Sequence, residues 1–396
     1  VQPQAADKVD GVLTLSIGPS SNREALEAQY GGTVVSWQPE SGYAILGVHR
    51  DSPQVRAMNV TPEPNVNALG IPETSAAGYG AWSGGWNAWS GGWSSWSGGG
   101  ASSLAPNENQ AIWNKVRLAQ AQALAPKAGA GIKVAVIDTG LDLNHPAFKN
   151  RLVPANEMYD WVDGDAVPQE VAGGSGYGHG TNVAGTVAQV AQKALIMPLR
   201  VLDKDGKGDT LDVIAAIDWA IAKGARVINL SLGSEDLKSF GEAVKNATKA
   251  GVFVVASAGN TGDKLITFPA RQFNGGAWAE MAVGVGSSDT QDRRSRFSTY
   301  GKELEMLAPG EQVYGPAPEN RLAAWSGTSM AAPMISGGLA LALGERSYSN
   351  LSDVGKAIGN SADDVSGSNP GAKAEEWGKG RVNLQRFLQQ ALALKP

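Results

Sequence analysis

An aspartate, a histidine and a serine stand in three short segments rich in small residues. The segments are Val136-Ile137-Asp138-Thr139-Gly140, Gly178-His179-Gly180-Thr181 and Ser326-Gly327-Thr328-Ser329-Met330-Ala331-Ala332-Pro333. A hydroxyl nucleophile, an imidazole that takes its proton and a carboxylate that orients the imidazole are the parts acyl transfer needs. Histidine is scarce: only His49, His145 and His179 occur. His145 precedes Pro146 and reads as structural, and His49 lies in the N-terminal stretch. His179, between two glycines at an evident helix start, has the surroundings of a general base, a role that suits imidazole in general because its unperturbed pKa lies near operating pH. Asp138 ends an apolar strand, where open α/β sheets place their ligands, although an aspartate there is more often a turn residue or a cap. Ser329 opens an apolar helix, where free N–H groups and the helix dipole favour developing negative charge.

The elements that must hold these residues are legible as alternating periods. Ile132 to Ile137, Ala194 to Val201, Val227 to Ser231, Val252 to Ala256 and Met281 to Val285 are apolar runs of strand length. Helical patterns such as Thr210 to Lys223 and Lys238 to Lys249 lie between them. That alternation predicts an α/β fold, a doubly wound, mostly parallel sheet flanked by helices.

Asp, His and Ser follow one another in the order found in subtilisins, not in the orders of chymotrypsin or the α/β-hydrolases. With Gly-Thr-Ser-Met-Ala-Ala-Pro at residues 327–333, the segment 108–396 resembles the subtilisin family of serine peptidases. The resemblance implies that Ser329 is the nucleophile, His179 the base and Asp138 its orienting carboxylate. Val254-Val255-Ala256-Ser257-Ala258-Gly259-Asn260 is similar to the family's oxyanion strand end, which implies that Asn260 and the Ser329 N–H receive the oxyanion. Substrate-side residues implied by the same match are Ser231, Leu232 and Gly233 on one wall, Gly206 and Gly208 on the other, and Ala258 and Gly259 between. An extended peptide would add there as a strand, tolerant of sequence because backbone bonds hold it. The implied activity is that of a serine endopeptidase acting on proteins or peptides.

The first 70 residues form a separate pattern. Val12 to Ile17 alternates as a strand, Ser21-Asn22-Arg23-Glu24 fits a capping box opening a helix, and Gly31-Gly32 stops it. Thr33 to Trp37 and Tyr43 to Val48 read as a hairpin around Pro39-Glu40-Ser41-Gly42. The β-α-β-β order begins a small α+β, ferredoxin-like unit. Asp51-Ser52-Pro53-Gln54-Val55 and Glu63-Pro64-Asn65 resemble the close of a subtilisin-type propeptide. That resemblance implies an intramolecular inhibitor and folding assistant, self-cleaved between Ala76 and Asn109. The expected organisation is thus 1–70 propeptide-like, 71–107 linker and 108–396 catalytic. Within the linker, Ala81-Trp82-Ser83-Gly84-Gly85-Trp86-Asn87 repeats at 88–94 and, degenerately, at 95–101. The Gly pairs exclude a coiled coil. A docking role for the indoles and a spacer that drifted aromatic are equally open.

Composition narrows the partners. With 33 basic against 38 acidic residues and no basic run, nucleic acid is excluded as an expected partner. No apolar stretch is long enough to predict a membrane span. The absence of cysteine rules out a thiol nucleophile, disulfides and cysteine-based zinc sites. No cofactor is expected for the chemistry. Ala188 to Lys193 passes almost directly into the next strand where many relatives carry a calcium loop, so no specific calcium site is expected, and Asp160, Asp163 and Asp165 read as a solvated loop. Met334 stands where relatives often have His, a departure in packing only. A secreted monomer whose signal peptide has been removed completes the expectation. The competing readings are a subtilase tuned to one processing event and a non-enzymatic scaffold on the same fold.

Overall fold

The structure, a computed structural model, describes residues 9–65, 69–70, 107–234, 239–273 and 279–396. The tryptophan-rich repeat lies outside the described residues.

The N-terminal elements are β1 (Gly11–Ser16), α1 (Arg23–Tyr30), β2 (Thr33–Gln38), β3 (Tyr43–Val48), α2 (Pro53–Ala57), β4 (Glu63–Pro64) and β5 (Leu69–Gly70). Strands β1 to β4 form an antiparallel sheet in the order β2-β3-β1-β4. The cap of α1 differs from the expected box: Asn22, not Ser21, accepts from the Ala25 N–H, and the Ser21 hydroxyl accepts from Gly18 N. Gly31 ends the helix in the left-handed region, as glycine permits. One face of the sheet closes a small core with α1 and α2, through Leu13, Tyr30, Val34, Leu46, Val48 and Val55.

The rest is the doubly wound fold. Its elements are α3 (Gln110–Lys115), α4 (Leu118–Leu124), β6 (Lys133–Asp138), β7 (Tyr159–Asp160), α5 (His179–Val190), β8 (Leu195–Arg200), β9 (Lys207–Gly208), α6 (Thr210–Ala222), β10 (Val227–Leu230), α7 (Phe240–Lys249), β11 (Phe253–Ser257), β12 (Ala282–Ser288), β13 (Met306–Pro309), the hairpin β14 (Val313–Ala317) and β15 (Arg321–Trp325), α8 (Thr328–Glu345), α9 (Leu351–Asn360) and α10 (Leu384–Ala393). The main sheet is parallel throughout, in the order β13-β12-β11-β10-β6-β8-β7. Alternation along a strand sends residues to opposite faces. Val134 and Val136 of β6 enter the core under α5 and α8, and Ala135 and Ile137 enter the core under α6 and α7. Helices on both faces bury the sheet completely, which is why its strands read as continuous apolar runs.

The second face of the N-terminal sheet lies on α6 and α7, with Val12, Tyr43 and Ile45 joining the core that contains Leu211 and Ile214. Ser41 Oγ donates to Asn246 Oδ1 at 3.0 Å, and Glu63 Oε2 accepts the Ser239 N–H at 3.1 Å, a carboxylate set at the start of α7. Strand β5 pairs antiparallel with β9, Leu69 opposite Gly208 and Gly70 opposite Lys207.

Candidate active site

Asp138 is the last residue of β6 and His179 the first of α5, and both side chains are wholly buried. Asp138 Oδ1 lies 2.6 Å from His179 Nδ1 and also accepts the Thr139 N–H at 2.8 Å. An ionised carboxylate can only accept, so the proton of the neutral imidazole belongs on Nδ1, and Nε2 keeps its lone pair. Trp325 of β15 stands edge-on to the imidazole, with ring centroids 5.9 Å apart. His145 is structural, as expected: it accepts the Ala147 N–H, its other ring nitrogen meets Arg321 O at 3.0 Å, and burial lowers its pKa.

Ser329 is the second residue of α8 and is buried beside the end of β10. Its hydroxyl donates to Ser231 O at 3.2 Å, while the Ser231 hydroxyl donates to Ser329 O at 2.8 Å. Asn229 Nδ2 in turn donates to Ser231 Oγ, and Asn229 Oδ1 accepts from the Ser336 hydroxyl about two turns further along α8. This buried chain fixes the start of α8 to the sheet. The carboxamide of Asn260 is held by its oxygen, which accepts the Thr328 N–H and the Thr328 hydroxyl, each at 2.9 Å. Its Nδ2 lies on the side of Gly327. A Cβ on Gly327 would stand 3.3 Å from Asn260 Nδ2 and 3.7 Å from Ser329 N. A side-chain amide and a serine N–H set on one glycine are the donor types that a tetrahedral oxyanion requires.

The model of the subtilase family matches residues 129–380. The chain belongs to the subtilase family. It is similar to thermitase of Thermoactinomyces vulgaris, 39% identical over 69% of this chain and 94% of that one. Subtilisin BL of Lederbergia lenta is 36% identical over 65% of this chain and 90% of its own length. Among solved structures, a cold adapted subtilisin-like serine proteinase matches with a TM-score of 0.54 and 32% identity, covering 65% of this chain and 88% of that one. This subtilase is accordingly a serine endopeptidase, with protein substrates and the subtilisin-like fold.

The expected substrate-side residues of this subtilase fall in three places. Gly206 immediately precedes β9 and Gly208 is its second residue, and the edge of that strand carries β5 in this structure. Ser231 and Leu232 are fully buried, Ser231 beneath the Ser329 backbone and Leu232 in the core with Phe240. Any contact of Leu232 with a substrate therefore runs through its backbone. Gly233 and Gly259 face one another across Thr267, which the sequence reading missed. A Cβ on Gly233 would meet Thr267 Oγ1 at 2.4 Å, and one on Gly259 would meet Thr267 Cγ2 at 2.9 Å. Thr267 is tied down by its N–H to Ala258 O at 3.0 Å. Its identity could be found only from the fold, since nothing local marks it.

Two further acidic positions depart from expectation. Asp160, read as part of a solvated loop, is buried and paired with Arg200 at 2.7 Å, and Asp163 joins the same guanidinium. The loop is anchored to β8 by an internal ion pair. Among the described residues, no group of three or more His, Cys, Asp or Glu side chains could hold a metal ion. Glu170 was not singled out by any sequence signal, yet it is buried next to the Asp138–His179 pair, and burial drives its carboxyl up to about 7. Among the described residues, no helix is long and apolar enough to cross a membrane.

Proposed function

We propose that this subtilase is a secreted, self-processing endopeptidase in which Ser329, His179, Asp138 and Asn260 carry the chemistry. The observation that carries the catalytic roles is the buried 2.6 Å contact of Asp138 with His179 Nδ1, which leaves Nε2 as the base. The Ser329 hydroxyl exchanges Ser231 O for His179 Nε2 as substrate enters, a tightening usual between resting and substrate-bound sites. Its oxygen attacks the scissile carbonyl while the proton passes to Nε2. Asp138 stabilises the resulting imidazolium, and the Ser329 N–H and Asn260 Nδ2 donate hydrogen bonds to the carbonyl oxygen as it becomes an oxyanion. The imidazolium then returns its proton to the leaving amine. A water molecule, activated by the same imidazole, hydrolyses the acyl-serine.

The pairing of Leu69–Gly70 with Lys207–Gly208 supports an inhibitory role for the N-terminal segment. An extended stretch of the chain lies on the edge where a substrate strand would add, and the α+β unit before it is seated on α6 and α7. Residues 1–70 would then be the inhibitor and 108–396 the protease, with a linker between. The enzyme needs no cofactor for these steps and acts as a monomer.

Labelling with a fluorophosphonate tests the catalytic roles: label on the parent and none on Ser329→Ala is expected, since loss of this nucleophile costs ~10⁶-fold in the family. Equal labelling of both would end the assignment. Mass spectrometry over time tests the processing: loss of an N-terminal fragment from the parent, with Ser329→Ala remaining intact, is expected. A parent that stays whole while cleaving added peptides would end that part alone.

A further inference from the structure

We propose that Glu170 is a positioning residue for the His179–Asp138 pair: its buried carboxylate caps the helix that begins at His179 and so allows that imidazole to become a cation. The inference rests on the catalytic roles proposed above for those two residues. His179 is the first residue of α5, and Gly178, at the cap position, offers no side chain to the open N–H groups there. A helix N-terminus disfavours an imidazolium, yet general-base catalysis must form one at that position. Triosephosphate isomerase uses the same helix-end effect in the opposite sense, to keep a histidine neutral.

Glu170 comes from the segment between β7 and α5 and supplies the missing charge. Its Oε2 accepts the Gly178 N–H at 2.8 Å, and its Oε1 accepts the Thr181 N–H at 3.0 Å. The hydroxyls of Thr139 and Thr181 donate to Oε1 at 3.1 and 3.2 Å. Thr139 Oγ1 in turn accepts the Gly180 N–H at 2.9 Å, and the Thr139 N–H is held by Asp138 Oδ1. One carboxylate is thus bonded to the residue before His179, to Thr181 in the first turn of its helix, and through Thr139 to both Gly180 and Asp138. The charged or titratable groups around it are Asp138 on β6, His179 on α5, Tyr177 just before α5, Asp142 after β6, and Arg200 on β8, whose guanidinium is engaged by Asp160 and Asp163. Burial, with Asp138 adding to it, raises the Glu170 carboxyl to about 7 against the pull of its N–H donors. It is therefore ionised above neutrality, where the base must be ready to take up a proton.

The test compares the full-length enzyme with Glu170→Gln, which keeps shape and removes charge. Expected are a kcat lower by about tenfold with KM within about twofold, and an acidic limb of kcat/KM moved to lower pH by about half a unit or more. A role limited to stability would lower the melting temperature and leave kcat of folded enzyme and the limb in place, and that result would overturn the inference. If the variant fails to mature, the imidazole signals of Ser329→Ala and Ser329→Ala/Glu170→Gln chains are titrated by NMR. With only three histidines in the sequence, His179 can be assigned. A lower pKa for His179 in the double variant is expected, and an unchanged one overturns the inference. If Glu170→Gln does not fold at all, Thr139→Val, which cuts the link to Gly180 but keeps the carboxylate, should lower kcat several-fold; an unchanged kcat again overturns it. Fluorophosphonate labelling of the parent runs alongside: label independent of Ser329 would defeat the catalytic roles themselves, a different outcome from any of these.

Discussion

Alanine at position 327 would put a methyl carbon between the two groups proposed to receive the oxyanion. Its Cβ would lie 3.3 Å from Asn260 Nδ2, 3.7 Å from Ser329 N and 3.8 Å from Asn260 Oδ1, with nothing nearer. The resting enzyme therefore admits the methyl with little displacement. The backbone admits it too, because φ 162° and ψ 161° at Gly327 are extended values open to any residue. By shrinking the unfolded ensemble, the change should even stabilise the fold by about 0.4–1 kcal/mol. The conflict arises only during reaction. An oxyanion bonded to both donors must lie about 2.7–3.1 Å from each, in the volume the methyl has taken. Removing one donor of this kind costs ~10²–10³ in kcat. Obstructing both should cost at least ~100-fold, with KM changed little, because the interaction is made only in the transition state.

The assay is kcat and KM on a peptide amide substrate, with thermal unfolding of Gly327→Ala measured in a Ser329→Ala background. Placed on top of Asn260→Ala, the methyl should cost much less than alone, since one of the donors it obstructs has already gone. A Gly327→Ala enzyme within about threefold of the parent would refute the reasoning. Full additivity with Asn260→Ala would refute it equally, because the methyl would then act somewhere else.

Three other outcomes follow from the same geometry. Asn260→Ala should lower kcat ~100- to 1,000-fold and also reduce the melting temperature, because the Thr328 N–H and hydroxyl lose their buried acceptor; a kinetic loss without destabilisation would contradict the second half. Thr267→Gly should open the space between Gly233 and Gly259 and, if that space takes a substrate side chain, shift preference toward larger apolar side chains by about tenfold or more, read as ratios of kcat/KM across a peptide series. Asp218→Asn should flatten the pH dependence of docking of the N-terminal sheet, followed in Ser329→Ala by amide protection of β3. The Asp218 carboxyl is raised by its burial under that sheet, against hydrogen bonds that include Asn246. Between its ordinary value and the raised one, the docked state holds a proton that the undocked state has released. Docking therefore weakens as pH climbs through that window and should not do so in the asparagine variant.

Much of this enzyme was legible in its sequence because the decisive residues are marked by their immediate neighbours. Asp138 closes an apolar strand, His179 opens a helix between glycines, and Ser329 opens another among alanines. Strand and helix periods placed β6, β8, β10, β11 and β12 to within a few residues. What stayed hidden is whatever depends on contact between distant segments. Glu170 sits in Pro168-Gln169-Glu170-Val171, where an acidic residue reads as an ordinary solvated side chain. It becomes buried only because Leu141 and Gln169 bridge in parallel beyond the end of β6, which draws it under the start of α5. Asp160 was misread for the same reason: Arg200, 40 residues away, turns a loop aspartate into an internal ion pair. Thr267 acquires its place only when β10 and β11 bring Gly233 and Gly259 together around it. Local pattern thus marks the groups proposed to react, because reactive groups need small neighbours and element ends. The groups proposed to tune them are held by the fold itself, and hydrogen bonds such as that from Gly178 to Glu170 leave no trace in spacing. The kinetic cost of losing Glu170 relative to losing Asp138 would therefore measure how much of this site's power lies outside the motifs that identify it.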